Sequence, residues 1–264
     1  MQWTLNNEKP LYVNSVTLAN QGGFHHSNWF VVPEDYAAGK DGYFPCDERS
    51  FEEIQAALQG TVLFAQSTQA KSEVQQFPEG VVIKIPPNHK IVADVHFLNI
   101  ATRQLETSAR MTLGLTHPKN VDTVVTPFRL SYYDLEIPPN TRSRFTGKCE
   151  MAEPYRDEAR HPFDMKLYYV LPHYHGLGDY FSLKIMGGPR DGEQLFELTG
   201  FNAEANGQMY SPPVDLSGAK GLKFTCGYDN PTDETVGWGL GGSEMCIMLG
   251  FADLDYLISA TVSD

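Results

Sequence analysis

Within KLYYVLPHYHGLGD, His173 and His175 stand two residues apart at the end of an apolar, aromatic-rich run. Side chains alternate across a β-strand, so both imidazoles project from one face and can meet a single ion. Such an H-x-H pair is only half of a metal site, and two exposed histidines on a strand also occur without any metal. Other donors therefore decide the reading. In GGFHHSNWFV, His25 and His26 are adjacent. Neighbours in a regular strand point to opposite faces, so joint ligation requires a bulge or turn, which Gly22 and Gly23 just upstream could permit. Otherwise one histidine faces the core and the other water. His96, in VADVHFLN, lies in an apolar strand, where a hydrogen-bonded core histidine is the plain alternative to a ligand.

A sulfur donor is on offer near the carboxyl end. In GGSEMCIMLGF, Met245 precedes Cys246, and Cys226 in FTCGYDN lies twenty positions earlier on what reads as a preceding strand. A disulfide between the two cysteines would pin the strand that carries Met245, by roughly 3 kcal/mol of chain entropy for such a loop. By alternation Cys246 then turns toward its partner while Met245 faces the other way, which could aim its thioether at the face of His173 and His175. A Met beside Ile and Leu is otherwise core packing.

These donors need rigid supports, and the sequence supplies mostly strands. PLYVNSVTLA, GTVLFAQST, GVVIKI, KIVADVHFL, ARMTLGL, KLYYVLPHYH, YFSLKIMG, LKFTCGY and CIMLGFA are rich in β-branched and aromatic residues, with Gly, Pro, Asn and Asp clusters between them. The fold class is all-β: two tandem antiparallel β-sandwich, jelly-roll-like domains with few short helices. One helix signal is clear, DERSFEEIQAALQG, with Ser50 as N-cap, Glu52 and Glu53 in the first turn and Gly60 past the end. A boundary falls between Asn120 and Asn140, giving domains 1–126 and 127–264, each a normal size for one sandwich.

Composition bounds the partners. The chain of 264 residues, 41% hydrophobic, can bury one substantial core or two smaller ones. Its 33 Asp+Glu against 20 Lys+Arg give a net charge of −13, which repels phosphate and anionic lipid over most of the exterior and argues against nucleic acid. No run of about 18 apolar residues marks a transmembrane segment, and MQWTLNNEKP lacks the basic and apolar zones of a secretory signal.

In order along the chain, HH, VHF, HYH and C…EMC resemble the copper type II, ascorbate-dependent monooxygenases, the family of peptidylglycine α-hydroxylating monooxygenase and dopamine β-monooxygenase. The similarity includes NWFV after the HH pair, FPEGVVIKI before VADVHF, YYDLEIPPN before the second half and CGYDN…VGWGLGGSEMC near the end, so it spans nearly the whole chain. It implies two mononuclear coppers, one per sandwich. His25, His26 and His96 match the three-histidine electron-transfer copper of the first domain. His173, His175 and Met245 match the catalytic copper of the second, where oxygen and substrate react. A Cys226–Cys246 disulfide is implied as well, leaving Cys46 and Cys149 without family partners. The implied activity is hydroxylation of a C–H bond of a small-molecule substrate with O2 and a reductant such as ascorbate. Imidazole suits both copper oxidation states and a thioether favours Cu(I). A disulfide and oxidised copper favour a periplasmic, cell-surface or secreted location. The sequence specifies neither the substrate nor the oligomeric state.

Departures from the family narrow the substrate. The Arg that binds substrate in the peptide-amidating enzymes, two residues before H-x-H, is Leu171 here; the Asn and Tyr two and four positions after the Met ligand are Ile247 and Leu249. A peptide carboxylate would lack its partners, so C-terminal amidation is not expected and a less polar substrate is. The usual Gln two before the third histidine is Asp94. Three alternatives stand beside this reading: a non-catalytic copper-binding protein on the same scaffold, a purely structural sandwich, and a zinc hydrolase on His25, His26 and His96, with no carboxylate base evident beside it. His89, His117 and His161 read as solvated loop residues, and Asp179, Tyr168 and Tyr169 flank the second site as pocket or packing residues. GLGG lacks the lysine and following helix of a phosphate-binding loop.

Overall fold

The computed structural model describes residues 1–49, 51–66, 70–97, 99, 102–200, 207–239 and 242–262, without the side chains of His25, Asp47, Ile54, Leu58 and Gln66. The chain forms two compact units, Met1–Thr126 and Pro127–Asp264.

The first unit carries β1 (Gln2–Thr4), β2 (Leu11–Asn20), β3 (Phe24–Pro33), β4 (Thr61–Gln66), β5 (Ser72–Gln76), β6 (Val81–Ile85), β7 (His89–Phe97), β8 (Ala109–Leu115) and β9 (Thr123–Val124). Among the described residues they make two sheets, one ordered β1-β7-β3-β4 and one ordered β5-β2-β6-β9 with β8 also on β2. Pattern and burial agree along β2: Val13, Val16 and Leu18 are fully buried, and the alternation slips where the register against β8 shifts, between Val13 and Ser15. On β3, Trp29 is fully buried, stacks on Trp3 at 5.8 Å and donates its indole N–H to Ser27 Oγ at 2.7 Å. Burying such a ring contributes roughly 4–6 kcal/mol by area, and it fixes β3 three residues from His26.

The second unit carries β10 (Thr126–Tyr132), β11 (Glu136–Ile137), β12 (Thr141–Glu150), β13 (Lys166–His173), β14 (Gly178–Met186), β15 (Gln194–Thr199), β16 (Gln208–Asp215), β17 (Gly221–Asn230), β18 (Val236–Gly237), β19 (Ile247–Ala252) and β20 (Ile258–Val262). One sheet runs β16-β13-β19-β10-β20, a second β12-β17-β14-β15, and β11 pairs β18. The buried residues Leu130, Leu167, Leu183, Phe181, Phe224 and Met248 belong to one hydrophobic core within this unit. The all-β expectation therefore holds, with one amendment: β6–β9 and β10–β20 pair in parallel. Both are pairings of strands far apart in sequence, where no hairpin dictates an antiparallel return.

Helix α1 (Glu53–Gln59) begins later than the sequence suggests. Glu52 holds the cap position with no side-chain cap bond, while Gly60 ends the helix as expected; Ser50 lies outside the described residues. A second helix, α2 (Ala152–Ala159), was not anticipated. Its Pro154 falls in the first turn, where a missing N–H costs nothing, and Arg160 closes it in the left-handed conformation. No helix among the described residues is long and apolar enough to cross a membrane.

Candidate metal centres

The first imidazole pair is built by β3 against β7. His26 and His96 are direct cross-strand partners, with ring centroids 4.1 Å apart and planes tilted by 50°. The register runs Phe24↔Phe97 and then His26↔His96, so β3 spends two steps where β7 spends one. His25 is the extra residue, and the backbone has the bulge that joint ligation by adjacent histidines requires. Gly22 and Gly23 just before it take φ of 109° and 68°, a region costly to residues with a Cβ. The His25 side chain lies outside the described residues.

Strand β7 leaves the core as it reaches this pair. Lys90 to Ala93 are buried, whereas Asp94, Val95 and His96 are half-buried. His96 Nε2 lies 3.1 Å from Asp94 Oδ2. The hydrogen bond from His96 holds the Asp94 carboxyl below its usual range, and the carboxylate in turn raises the imidazole. An ionised carboxylate only accepts, so Nε2 carries a proton and Nδ1 is the ring nitrogen left for a metal. The other Asp94 oxygen takes the Cys46 thiol at 3.7 Å. Burial, then the neighbouring carboxylate, pushes that thiol up. A carboxylate does stand beside the first site, contrary to the sequence reading. It is engaged on both oxygens, which suits it to orienting His96 rather than to acting as a base.

The second pair sits at the end of β13. His173 is its last residue, opposite Ile247 of β19, and His175 follows just past the strand; their rings are 5.3 Å apart and nearly perpendicular, at 88°. His175 Nδ1 lies 2.7 Å from the Ser243 carbonyl oxygen. A carbonyl only accepts, so Nδ1 is the protonated nitrogen and Nε2 is free to ligate.

Glu244 ties this loop to the segment that carries Met245. Its carboxylate is 1% exposed and accepts the backbone N–H of His175 on Oε2 and of Leu177 on Oε1, each at 2.7 Å. Burial raises its pKa, while those two N–H groups pull it down. Its own backbone N–H reaches Gly237 O and its carbonyl receives Gly239 N–H, both at 3.0 Å. The next carbonyl, of Met245, accepts the Tyr228 hydroxyl at 2.7 Å, and Cys246 is disulfide-bonded to Cys226 with Cα atoms 5.9 Å apart. Met245 is half-buried and, with Cys246, precedes the first residue of β19, so the strand alternation expected to orient it does not apply there. Sequence reasoning missed Glu244; the available signal was one acidic residue in an otherwise uncharged stretch, VGWGLGGSEMC.

Among the described residues no group of three His, Cys, Asp or Glu is positioned to hold a metal ion. Each unit instead presents a pair of imidazoles. The proposed third donors are His25, whose side chain is not described, and the sulfur of Met245, a different donor class. Leu171 and Leu249 face each other across β13 and β19, on the same face as His173 and Ile247 by alternation. The remaining histidines lie elsewhere. His89 opens β7, half-buried rather than in a loop; exposed His117 accepts the N–H of Lys119; His161 Nε2 is 2.6 Å from Asp255. Tyr168 is buried, Tyr169 packs near Phe251 at 6.2 Å between ring centroids, and Asp179 is 4.0 Å from Arg142.

No protein-family model and no curated protein matches the chain. Among solved structures, infectious bursal disease virus Gx strain aligns over 94% of this chain and 57% of its own, at 8% identity and a TM-score of 0.21. The VP2 subviral particle of infectious bursal disease virus aligns over 94% and 58%, at 6% identity and 0.22. The chain thus spans little more than half the length of those chains, and at such scores the alignments carry no argument about fold or function.

Proposed function

We infer that the chain is a copper-dependent monooxygenase of the ascorbate-driven type, hydroxylating a C–H bond of a small, weakly polar substrate with O2. The observation that carries this reading is the Glu244 bridge, which joins the His173/His175 loop to the Met245 segment through two 2.7 Å backbone hydrogen bonds. A purely structural turn gains little from burying a carboxylate to align two backbone N–H groups beside an imidazole whose Nε2 is left free.

The donor types fit copper. His173, His175 and Met245 would hold one ion, and His25, His26 and His96 the other; imidazole and thioether together suit an ion that cycles between Cu(I) and Cu(II). When bound, the copper supplies activation of O2 and one-electron chemistry. The chain supplies orientation. The Ser243 carbonyl selects Nε2 of His175, Asp94 selects Nδ1 of His96, and the Cys226–Cys246 disulfide with the Tyr228 hydroxyl holds the backbone around Met245. The Leu171–Leu249 pair offers no charge to a carboxylate, which supports a substrate other than a peptide-glycine terminus. The disulfide supports a location outside the reducing cytosol.

The test is copper reconstitution followed by metal analysis and ascorbate-dependent O2 uptake. The expected result is two coppers per chain and uptake that disappears in Met245→Ile and in His173→Ala. Tight copper without uptake would assign the chain to copper binding alone. Selective zinc retention with ester hydrolysis would overturn the copper reading.

A further inference from the structure

In the second unit, the sheet β12-β17-β14-β15 turns one face to the core, and on the other Lys148 and Arg144 are exposed, Lys184, Lys223, Thr146, Thr225 and Tyr180 half-buried, and Ser182 buried. The registers Lys148↔Lys223 and Lys184↔Lys223 set three lysines abreast on adjacent strands. The next row on that face is Thr146, Thr225 and Ser182, with the two threonine hydroxyls 2.8 Å apart. The third row is Arg144, Gly227 and Tyr180, where the missing side chain at Gly227 lets the Arg144 guanidinium lie 3.7 Å over the Tyr180 ring. Arg144, with Arg142, Ser143, Asp179 and Tyr228, lines a depression of about 310 Å³. Arg142 is neutralised there by Asp229 at 2.8 Å, but among the described residues no carboxylate lies within 4.0 Å of Arg144, Lys148, Lys184 or Lys223. The buried Ser143 hydroxyl has no hydrogen-bond partner among the described residues. Acidic residues share this face: Asp179 and Asp229 stand at the depression, where both approach Arg142, Glu197 lies beside Ser182 on β15, and Glu150 lies beyond the lysine row, so the uncompensated positive charge is concentrated on the three lysines and Arg144.

Like charges directly opposite on neighbouring strands are destabilising, and a chain of net charge −13 has acidic residues in excess with which to dilute them. We propose that this face binds a linear anionic polysaccharide bearing carboxylate or sulfate groups, laid from the three-lysine row to the Arg144 depression. The rows span about 10 Å across three strands and about 14 Å along them, a strip suited to a narrow polymer. A bilayer would confront the acidic remainder of the protein as well, and this face carries none of the exposed large apolar residues that anchor a membrane-bound surface. Protein interfaces are depleted in lysine and serine and centre on apolar anchors, which are missing from this grid. Single-stranded nucleic acid needs open aromatic platforms, and the Tyr180 ring is covered by Arg144.

The test measures binding of the full chain to immobilised heparin and alginate at about 10 mM salt, where screening is weak, and again as salt is raised. Wild-type protein binds one or both, and the complex dissociates with salt. Each of Lys148→Gln, Lys184→Gln and Lys223→Gln weakens binding about fivefold, and the triple variant about a hundredfold. Arg144→Gln weakens it as well and, by removing the contact with the Tyr180 ring, lowers the thermal midpoint slightly, so the lysine variants are the ones that separate binding from stability. The lysine variants keep or raise that midpoint, because they remove like-charge contacts, so lost binding cannot be laid to unfolding. No wild-type binding at low salt, retention by the triple variant, or tighter binding to anionic vesicles or single-stranded DNA than to either polysaccharide overturns the proposal.

Discussion

Replacing Glu244 by Gln separates the holding of a loop from the holding of a metal. The carboxylate accepts two backbone N–H groups, from His175 and Leu177. Gln keeps one acceptor oxygen and turns an NH2 toward the other N–H, leaving a buried donor unpaired at a cost of about 1–3 kcal/mol. Part of that cost is offset, because burial already disfavours the ionised Glu244 and a neutral amide avoids the penalty. The second unit should therefore lose no more than about 2 kcal/mol. Metal affinity is the more sensitive readout: losing the partner that orients a ligand typically costs about 10–100-fold. Titration of each variant with copper against a competing chelator should show this loss at one site of two, with the other as internal control. If Glu244→Gln leaves both affinities unchanged, the bridge is not what positions the His175 loop. An equal loss at both sites would trace the effect to general destabilisation instead.

Other outcomes follow from the same geometry. Asp94→Asn removes the charge from the His96 contact and should weaken copper only at the first site, again about 10–100-fold, as read by the same titration. Replacing Cys226 and Cys246 together by Ala should lower the unfolding free energy by about 3 kcal/mol, checked by urea denaturation of the full chain. The pair His161–Asp255 makes stability depend on pH. Asp255 raises the His161 pKa above 6.5, so this contribution is fully present below about pH 6.5 and is lost as pH rises through the folded value. Thermal melts from pH 6 to 8 should show that decline shrink in Asp255→Asn.

Much of the architecture was legible because strand patterning is local. Period-two burial and the Gly, Pro and Asn clusters locate most strands, but β13 ends at His173, so strand alternation does not by itself place His175, which the Ser243 carbonyl and the Glu244 carboxylate hold instead. What stayed hidden depends on distance along the chain. Glu244 meets the His175 N–H across 69 positions. The bulge at His25 is defined only by the register against His96, and the lysine row joins residues 148, 184 and 223, which share nothing locally. Helix α2 carries Pro154, a helix breaker in most positions, and only its place in the first turn makes it compatible with the helix.

The two imidazole pairs are fixed in opposite senses. At His96 a carboxylate takes Nε2–H and leaves Nδ1; at His175 a neutral carbonyl takes Nδ1–H and leaves Nε2. The difference is electrostatic as well as geometric. An anionic partner makes an imidazole a stronger donor and favours the higher charge of a bound ion, whereas a carbonyl dipole does so less. A thioether such as Met245 favours the lower charge further. If copper is held as proposed, the first unit would give it a harder, charge-stabilising environment and the second a softer one. That asymmetry lies in Asp94, Ser243 and Met245 as much as in the histidines, and a search for imidazoles alone would miss it.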